Sequence, residues 1–290
     1  MVTSEGTISV QGGDVWYRRV GEGPGTPILF LHGGPGSSSL GTDLWLADLP
    51  DQRPVVYYDQ LGGGLSSRPD DVSLWSVDRF VAELARVRDV LGLDDVHLVG
   101  HSWGAMLLAA YLSTGPSGVR TATFSSPCLD ARQWARDQEV HLAAMSPDFR
   151  AVIDRCERDG TTDTEEYETA VIAYYQRHVL RADPWPEIAF EIVAGINAAV
   201  YGHMWGSSEW HVTGTLADFD ARPWLPDLTL PLLFTCGQHD EARPETVRDH
   251  ASMAPNARVH VFPGASHFAQ LEVPDEYRRV LGEFVAAHDD

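Results

Sequence analysis

The stretch "VHLVGHSWGAMLLAAYL" (96–112) decides the fold. It begins as a short apolar strand and ends as a helix-length apolar segment. Between them lies the five-residue turn Gly100-His101-Ser102-Trp103-Gly104. A G-x-S-x-G turn between a strand and a helix is a nucleophile elbow: the serine sits at the tip of a strained turn with its Oγ exposed above a sheet. The two glycines have no side chain to collide with the neighbouring strand and helix. Working outward, "PILFLHG" (27–33), "RPVVYYDQ" (53–60) and "VRTATFSSP" (119–127) read as further buried strands. "SVDRFVAELARVRDVLGL" (76–93) places Phe80, Leu84 and Val87 on one helical face, with Ser76 as N-cap and Gly92 near the end. Strands alternating with helices imply βαβ units and a mostly parallel sheet.

An antiparallel hairpin is expected over 7–21, around Gly12-Gly13. From Cys128 the pattern changes: 128–222 is helical in period, rich in Trp and acids, and offers no convincing buried strand. The sheet resumes with "LPLLFTCG" (230–237), a helix near 244–254, "ARVHVFPG" (257–264) and a last helix from Pro274. The expected organisation is one α/β core, 1–127 and 223–290, interrupted by a helical cap, 128–222.

The formal charge is −21, and all 21 cationic side chains are arginine. A balance that acidic argues against a nucleic-acid partner or an anionic membrane surface, since both need a basic footprint. The three cysteines, Cys128, Cys156 and Cys236, have no zinc-like spacing and are odd in number for disulfides. No secretory signal is visible and no apolar run approaches 18 residues, so a cytoplasmic protein is expected.

The elbow makes Ser102 the candidate nucleophile. The turn His32-Gly33-Gly34-Pro35-Gly36 follows the strand at 27–31, and its bare backbone can approach a ligand closely. A tetrahedral intermediate needs preorganised N–H donors. The natural pair is Gly34 N–H with Trp103 N–H, the residue after the nucleophile, with Gly33 against the substrate. His32 itself reads as a structural, hydrogen-bonded imidazole. In an elbow architecture the chain order is Ser, then Asp or Glu, then His, the last two on loops after late strands. Of twelve histidines, His267 in "FPGASHFAQLE" alone occupies the loop after the 257–262 strand. His260 lies within the strand, His288 at the end of the chain, and His239 and His250 come too early. The acid belongs after "PLLFTCG", where Asp240 and Glu241 stand side by side. Asp240 is the better partner for His267, which leaves Glu241 in need of a cation of its own.

With these residues in place, the sequence resembles the prolyl iminopeptidases, serine peptidases of the α/β-hydrolase fold. It is most similar to the short type that includes the tricorn-interacting aminopeptidase. The resemblance covers essentially the whole chain and rests on "HGGPG" (32–36), "YDQLGGGLSSRP" (58–69), "GHSWG" (100–104), "GSSEWHVTGTLADFD" (206–220), "CGQHDEARP" (236–244) and "GASHF" (264–268). It implies that two glutamates hold the free α-ammonium of the substrate, one from the cap and one immediately after the triad aspartate. Those positions match Glu209 and Glu241. Asp240 then faces His267, and Glu241 faces the substrate.

The reading that follows is a cofactor- and metal-free serine hydrolase that releases an N-terminal proline or small amino acid from a peptide or amide bearing a free N-terminus. The same chemistry suits an aminoacyl-amide hydrolase acting on a natural-product intermediate, with a carrier-linked or apolar leaving group. Two further classes stay open: a general esterase, indifferent to Glu209 and Glu241, and a non-catalytic ligand receptor. Four local features complete the reading. Gly63 and Leu65 depart from many relatives, in a loop beside the site. Asp59 and Gln60 are expected to organise that loop. Trp134, Trp185, Trp205, Trp210 and Trp224 in the cap are expected in its core, with some available to wall a leaving-group channel. "TTDTEEYETA" (161–170) reads as an exposed helix start, with acids in its first turns.

Overall fold

Short apolar runs bounded by turns become buried strands in the computed structural model, which describes residues 2–46, 49 and 52–289. The strands are β1 (Val2–Val10), β2 (Gly13–Val20), β3 (Ile28–Leu31), β4 (Val55–Tyr58), β5 (Val96–His101), β6 (Val119–Ser125), β7 (Gly206–Ser208), β8 (His211–Val212), β9 (Leu232–Gly237) and β10 (Ala257–Phe262). Eight of them form one sheet in the order β1-β2-β4-β3-β5-β6-β9-β10. Neighbours from β4 to β10 run parallel, and the β1–β2 hairpin adds an antiparallel edge. β3, β4, β5 and β9 are buried along their whole length. A parallel strand covered on both faces needs no polar alternation.

The helices are α1 (Thr42–Trp45), α2 (Val77–Val90), α3 (Trp103–Ser113), α4 (Ala131–Ala143), α5 (Pro147–Asp159), α6 (Glu165–His178), α7 (Glu187–Ala194), α8 (Ala198–Met204), α9 (Pro244–Met253), α10 (Ala269–Glu272) and α11 (Pro274–Ala286). On one face of the sheet, α2, α3 and α9 bury Phe80, Leu84, Met106 and Val247. On the other, α11 packs Tyr277, Leu281 and Phe284 against Ile28, Val99 and Leu233. Ser76 caps α2, its side chain accepting from Arg79 N–H, and Gly92 stands just past the end at φ 62°.

Between β6 and β9 the chain leaves the sheet and builds α4–α8 with a small core of its own around Phe149, Ile153, Tyr174 and Trp210. Outgoing and returning segments join at a neck: Ala131 N–H donates to Phe219 O (3.0 Å) and Ala221 N–H to Leu129 O (2.8 Å).

Two elements depart from the sequence reading. β1 starts at Val2 rather than near Thr7, because an edge strand is held by its backbone pairing to β2 and needs no apolar alternation in "VTSEG". The cap, expected to be wholly helical, carries the β7–β8 hairpin, whose strands of 3 and 2 residues are too short to show a period.

Candidate active site

The elbow forms as its glycines require. A Cβ on Gly104 would lie 2.2 Å from Leu31 O, and one on Gly100 would lie 2.3 Å from Gly104 O. Only hydrogen atoms there let α3 rise directly from β5 against β3. Ser102, between them, has φ 54° and ψ −119°. A non-glycine residue in this region costs roughly 1–3 kcal/mol, so the packing around it must hold it there. Its N–H is tied to Ser125 O at 3.0 Å. The Trp103 N–H opens α3, where the first helical N–H groups have no partner within the helix.

Across from Ser102, the turn 32–36 is fixed by Gln60. Gln60 N–H donates to His32 Nε2 (2.9 Å), and its amide donates to His32 O (3.1 Å). Its Oε1 accepts from the Trp103 indole at 2.7 Å. One side chain thereby clamps the glycine turn to the elbow. His32 donates from Nδ1 to Gly33 O (2.8 Å), and burial pushes its pKa down, so it is a neutral structural ring as expected. A Cβ on Gly33 would come 3.2 Å from that of Ser102, so this backbone lies against Ser102. Asp59 organises the adjoining loop as expected, accepting from Ser39 N–H and Oγ (2.7 Å each) and from Leu65 N–H (2.8 Å).

His267 and Asp240 come together at the ends of β10 and β9. His267 Nδ1 lies 2.8 Å from Asp240 Oδ1. Asp240 is fully buried, and it also accepts from Gly237 N–H (3.0 Å), Ala242 N–H (2.8 Å) and the Ser126 hydroxyl (2.7 Å). Ser126 was not anticipated from the sequence. It follows β6 with φ 48° and also lies 3.0 Å from His267 O, joining the loops of Asp240 and His267. The available signal was its place at the carboxyl end of a parallel strand, where open α/β sheets gather their functional groups.

Ser102 and His267 line one cavity of about 110 Å³, with Gly33, Gly34, Glu209 and Glu241. The structure shows no hydrogen bond from Ser102 Oγ to His267. Instead His267 Nε2 faces Glu241 Oε1 at 3.4 Å. Apo contacts of this kind often tighten only when substrate is bound.

Glu209 sits in the β7–β8 turn. Its backbone carbonyl accepts from the Trp134 indole (2.9 Å) and its Oε1 from the Tyr201 hydroxyl (2.8 Å). Glu241 is 2% exposed, and its Oε2 has no hydrogen-bond partner. Burial, then the charges of Glu209 and Asp240, push the Glu241 carboxyl well above the usual carboxylate range. Burial raises Glu209 too, partly offset by the Tyr201 hydroxyl. Among the described residues no arginine offsets either charge. A cation entering this cavity would meet two carboxylates, one of them with an unpartnered oxygen.

The cap braces the loops of Asp240 and His267 through its backbone. His178 O accepts from Glu241 N–H (3.3 Å) and His267 N–H (3.1 Å), and Val179 O accepts from Phe268 N–H (2.9 Å). Of the cap tryptophans, Trp134, Trp205 and Trp210 are buried, and Trp134 presents its ring edge-on to His267 at 6.1 Å. Trp185 lines a second, apolar cavity that shares Val179, Ile192, Val193, Phe268 and Leu271 with the first. Trp224 is partly buried against Phe219.

The model of the α/β-hydrolase fold matches residues 26–274. A proline iminopeptidase of Heyndrickxia coagulans is 46% identical over 284 residues, covering 97% of this chain and 98% of its own. Among solved structures, VinJ superposes with a TM-score of 0.94 at 33% identity, over 99% of this chain and all of its own. The proline iminopeptidase of Mycobacterium smegmatis gives 0.91 at 35% identity, over 99% of both chains. Similar along its whole length to enzymes of one kind, and carrying their fold with serine, histidine and aspartate at its strand ends, the chain belongs to the proline iminopeptidase family of the α/β hydrolases.

Proposed function

We propose that the protein is a serine aminopeptidase that releases an N-terminal proline, or a small residue in its place, from a peptide or amide. Ser102 attacks the carbonyl, His267 takes its proton and returns it to the leaving amine, and Asp240 orients His267 and stabilises its imidazolium. The N–H groups of Gly34 and Trp103 receive the oxyanion. Water then releases the acyl group by the same route. The chemistry is complete with these side chains and calls for no cofactor.

The observation that carries the reading is that two carboxylates, Glu209 and Glu241, line the cavity of Ser102, with Glu241 Oε2 left without a partner. Each charge-assisted hydrogen bond to an α-ammonium is worth about 1.5–3 kcal/mol. An N-acetylated substrate would leave both groups unpaired at a desolvated site. The test is turnover of prolyl- and alanyl-arylamides with the amine free and acetylated. Cleavage of the free amines alone supports the reading. Equal cleavage of both forms sinks it and leaves an ordinary esterase or amidase, and no cleavage of either favours a ligand receptor.

The apolar wall shared by the two cavities, Val179, Ile192, Val193, Phe268 and Leu271, supports an apolar leaving group, carrier-linked or free, in place of a polar peptide. Lengthening an alkyl-amide leaving group should then lower KM stepwise, and a flat series would speak for short peptides. The three cysteines are free and buried, which supports a reducing, cytoplasmic setting.

A further inference from the structure

We infer that Glu241 and Ser102 compete for the same nitrogen of His267, and that the substrate's ammonium group decides the outcome by drawing Glu241 away. The inference rests on the glutamate clamp proposed above. It makes the clamp a device that assembles the catalytic base as well as one that binds.

The geometry runs as follows. Nδ1 of His267 is engaged by Asp240 at 2.8 Å, so only Nε2 can accept the Ser102 proton. Nε2 lies 3.4 Å from Glu241 Oε1, and Ser102 Oγ has no hydrogen bond to it. A neutral imidazole nitrogen and a carboxylate oxygen are both acceptors and repel each other. The contact is favourable only with one proton between them, as imidazolium and carboxylate or as imidazole and carboxyl. The two descriptions have the same composition, and in both the Nε2 lone pair is occupied.

Among the described residues no other hydrogen bond or ion pair fixes the Glu241 side chain. Gln138 and His178 hold only its backbone, through Glu241 O (3.1 Å) and N–H (3.3 Å), and Oε2 is unpartnered.

The other groups around this pair leave the balance to carboxylates. Asp240 faces Nδ1 from the same loop, and Glu209 faces from the cap hairpin. Burial lowers His101 from the elbow, His141 from α4 and His178 from α6 below the ordinary histidine value, so these rings are neutral. Burial raises the hydroxyls of Tyr174, Tyr175 and Tyr201 and the thiol of Cys128, which are neutral as well.

When an ammonium group enters between Glu209 and Glu241, it favours the Glu241 carboxylate and replaces His267 as its partner. The imidazolium has then lost a counter-ion and gained a like charge, so it gives its proton to solvent. One proton leaves for each ammonium bound, no bond between heavy atoms changes, and Nε2 is free to take the proton of Ser102. A neutral compound cannot drive this step. Selection against acylated N-termini would therefore act on the chemical step as well as on binding.

The test uses diisopropyl fluorophosphate, a neutral reagent that phosphorylates serine with loss of fluoride and needs the same base. The pH midpoint of the inactivation rate reports when Nε2 becomes free. Glu241→Gln removes the group that occupies Nε2 and is thus expected to lower this midpoint, with inactivation about tenfold faster on its acid limb. Glu209→Gln, which removes a charge that acts on His267 without touching Nε2, should lower the midpoint less than Glu241→Gln does. On the unaltered enzyme, saturating pyrrolidinium should lower the midpoint as Glu241→Gln does, a readout that needs no variant to fold. If both glutamine variants lose the preference for free prolyl-arylamides but neither Glu241→Gln nor pyrrolidinium moves the midpoint, the clamp stands and the competition is overturned. If the preference survives both substitutions, the clamp fails and the inference with it.

Discussion

Removing the hydroxyl of Ser126 should slow catalysis without weakening substrate binding. Its Oγ lies 2.7 Å from Asp240 Oδ2 and 3.0 Å from His267 O. A hydroxyl has one proton, and the shorter, charged acceptor takes it. Asp240 is fully buried and holds His267 through its other oxygen. A hydrogen bond to a buried charge is worth about 1.5–3 kcal/mol, and its loss leaves the carboxylate one donor short. Were all of that expressed in the transition state, kcat would fall about 10- to 100-fold, at 1.4 kcal/mol per decade. Ser126→Ala keeps the left-handed backbone of φ 48° without the hydroxyl, and Ser126→Gly also relieves the strain, worth about 1 kcal/mol. The two variants should share the fall in kcat, while Ser126→Gly recovers part of the lost thermal stability. The assay is kcat and KM on prolyl-arylamide alongside thermal unfolding. Ser126 does not line the cavity of Ser102, so KM and the preference for free amines should hold. An unchanged kcat in both variants would refute the reasoning, as would a loss carried wholly by KM.

Two further substitutions separate site from scaffold. Gln60→Leu keeps the volume but strips the Trp103 indole and His32 O of their partner, at about 1–3 kcal/mol for each buried group left unpaired. Both the melting temperature and kcat should fall, and a loss of stability with kcat intact would count against the clamp between turn and elbow. Glu241→Gln should stabilise the protein while it damages free-amine turnover. Because the folded protein raises this carboxyl above its value of 4.5, it binds a proton that the unfolded chain has released. Stability therefore falls as pH rises from about 4.5 to the folded pKa, so the gain should be absent in acid and largest above that window, measured as melting temperature against pH.

The parts legible in the sequence are those that one segment determines alone. β5, the elbow and α3 announce themselves because a buried parallel strand is an unbroken apolar run and the turn needs glycine on both sides. The Ser76 cap and the α2 face follow from local hydrogen bonding and a 3.6-residue period. Asp240 and His267 were readable from chain order, since the elbow fixes which later loops reach it. Ser126 was not: its partners lie 114 and 141 residues away, and its role depends on how β6 ends beside β9. His178 acts through a carbonyl, which every residue possesses. The start of β1 and the β7–β8 hairpin escaped because pairing, rather than periodicity, defines them.

The awkward neighbours Asp240 and Glu241 make sense once their surroundings are compared. Both are buried, but Asp240 accepts four hydrogen bonds. Glu241 has one oxygen without a partner and the other against His267. Adjacent residues in a loop thus receive opposite treatment: one carboxylate is satisfied by the fold, and the other is left wanting a cation. A buried group left in that state costs stability, and selection for folding alone would replace it with something neutral. Its retention beside the nucleophile is most simply explained if a cation arrives with the substrate. The unsatisfied charge is then the recognition element itself, and the protein is least stable where it is most selective.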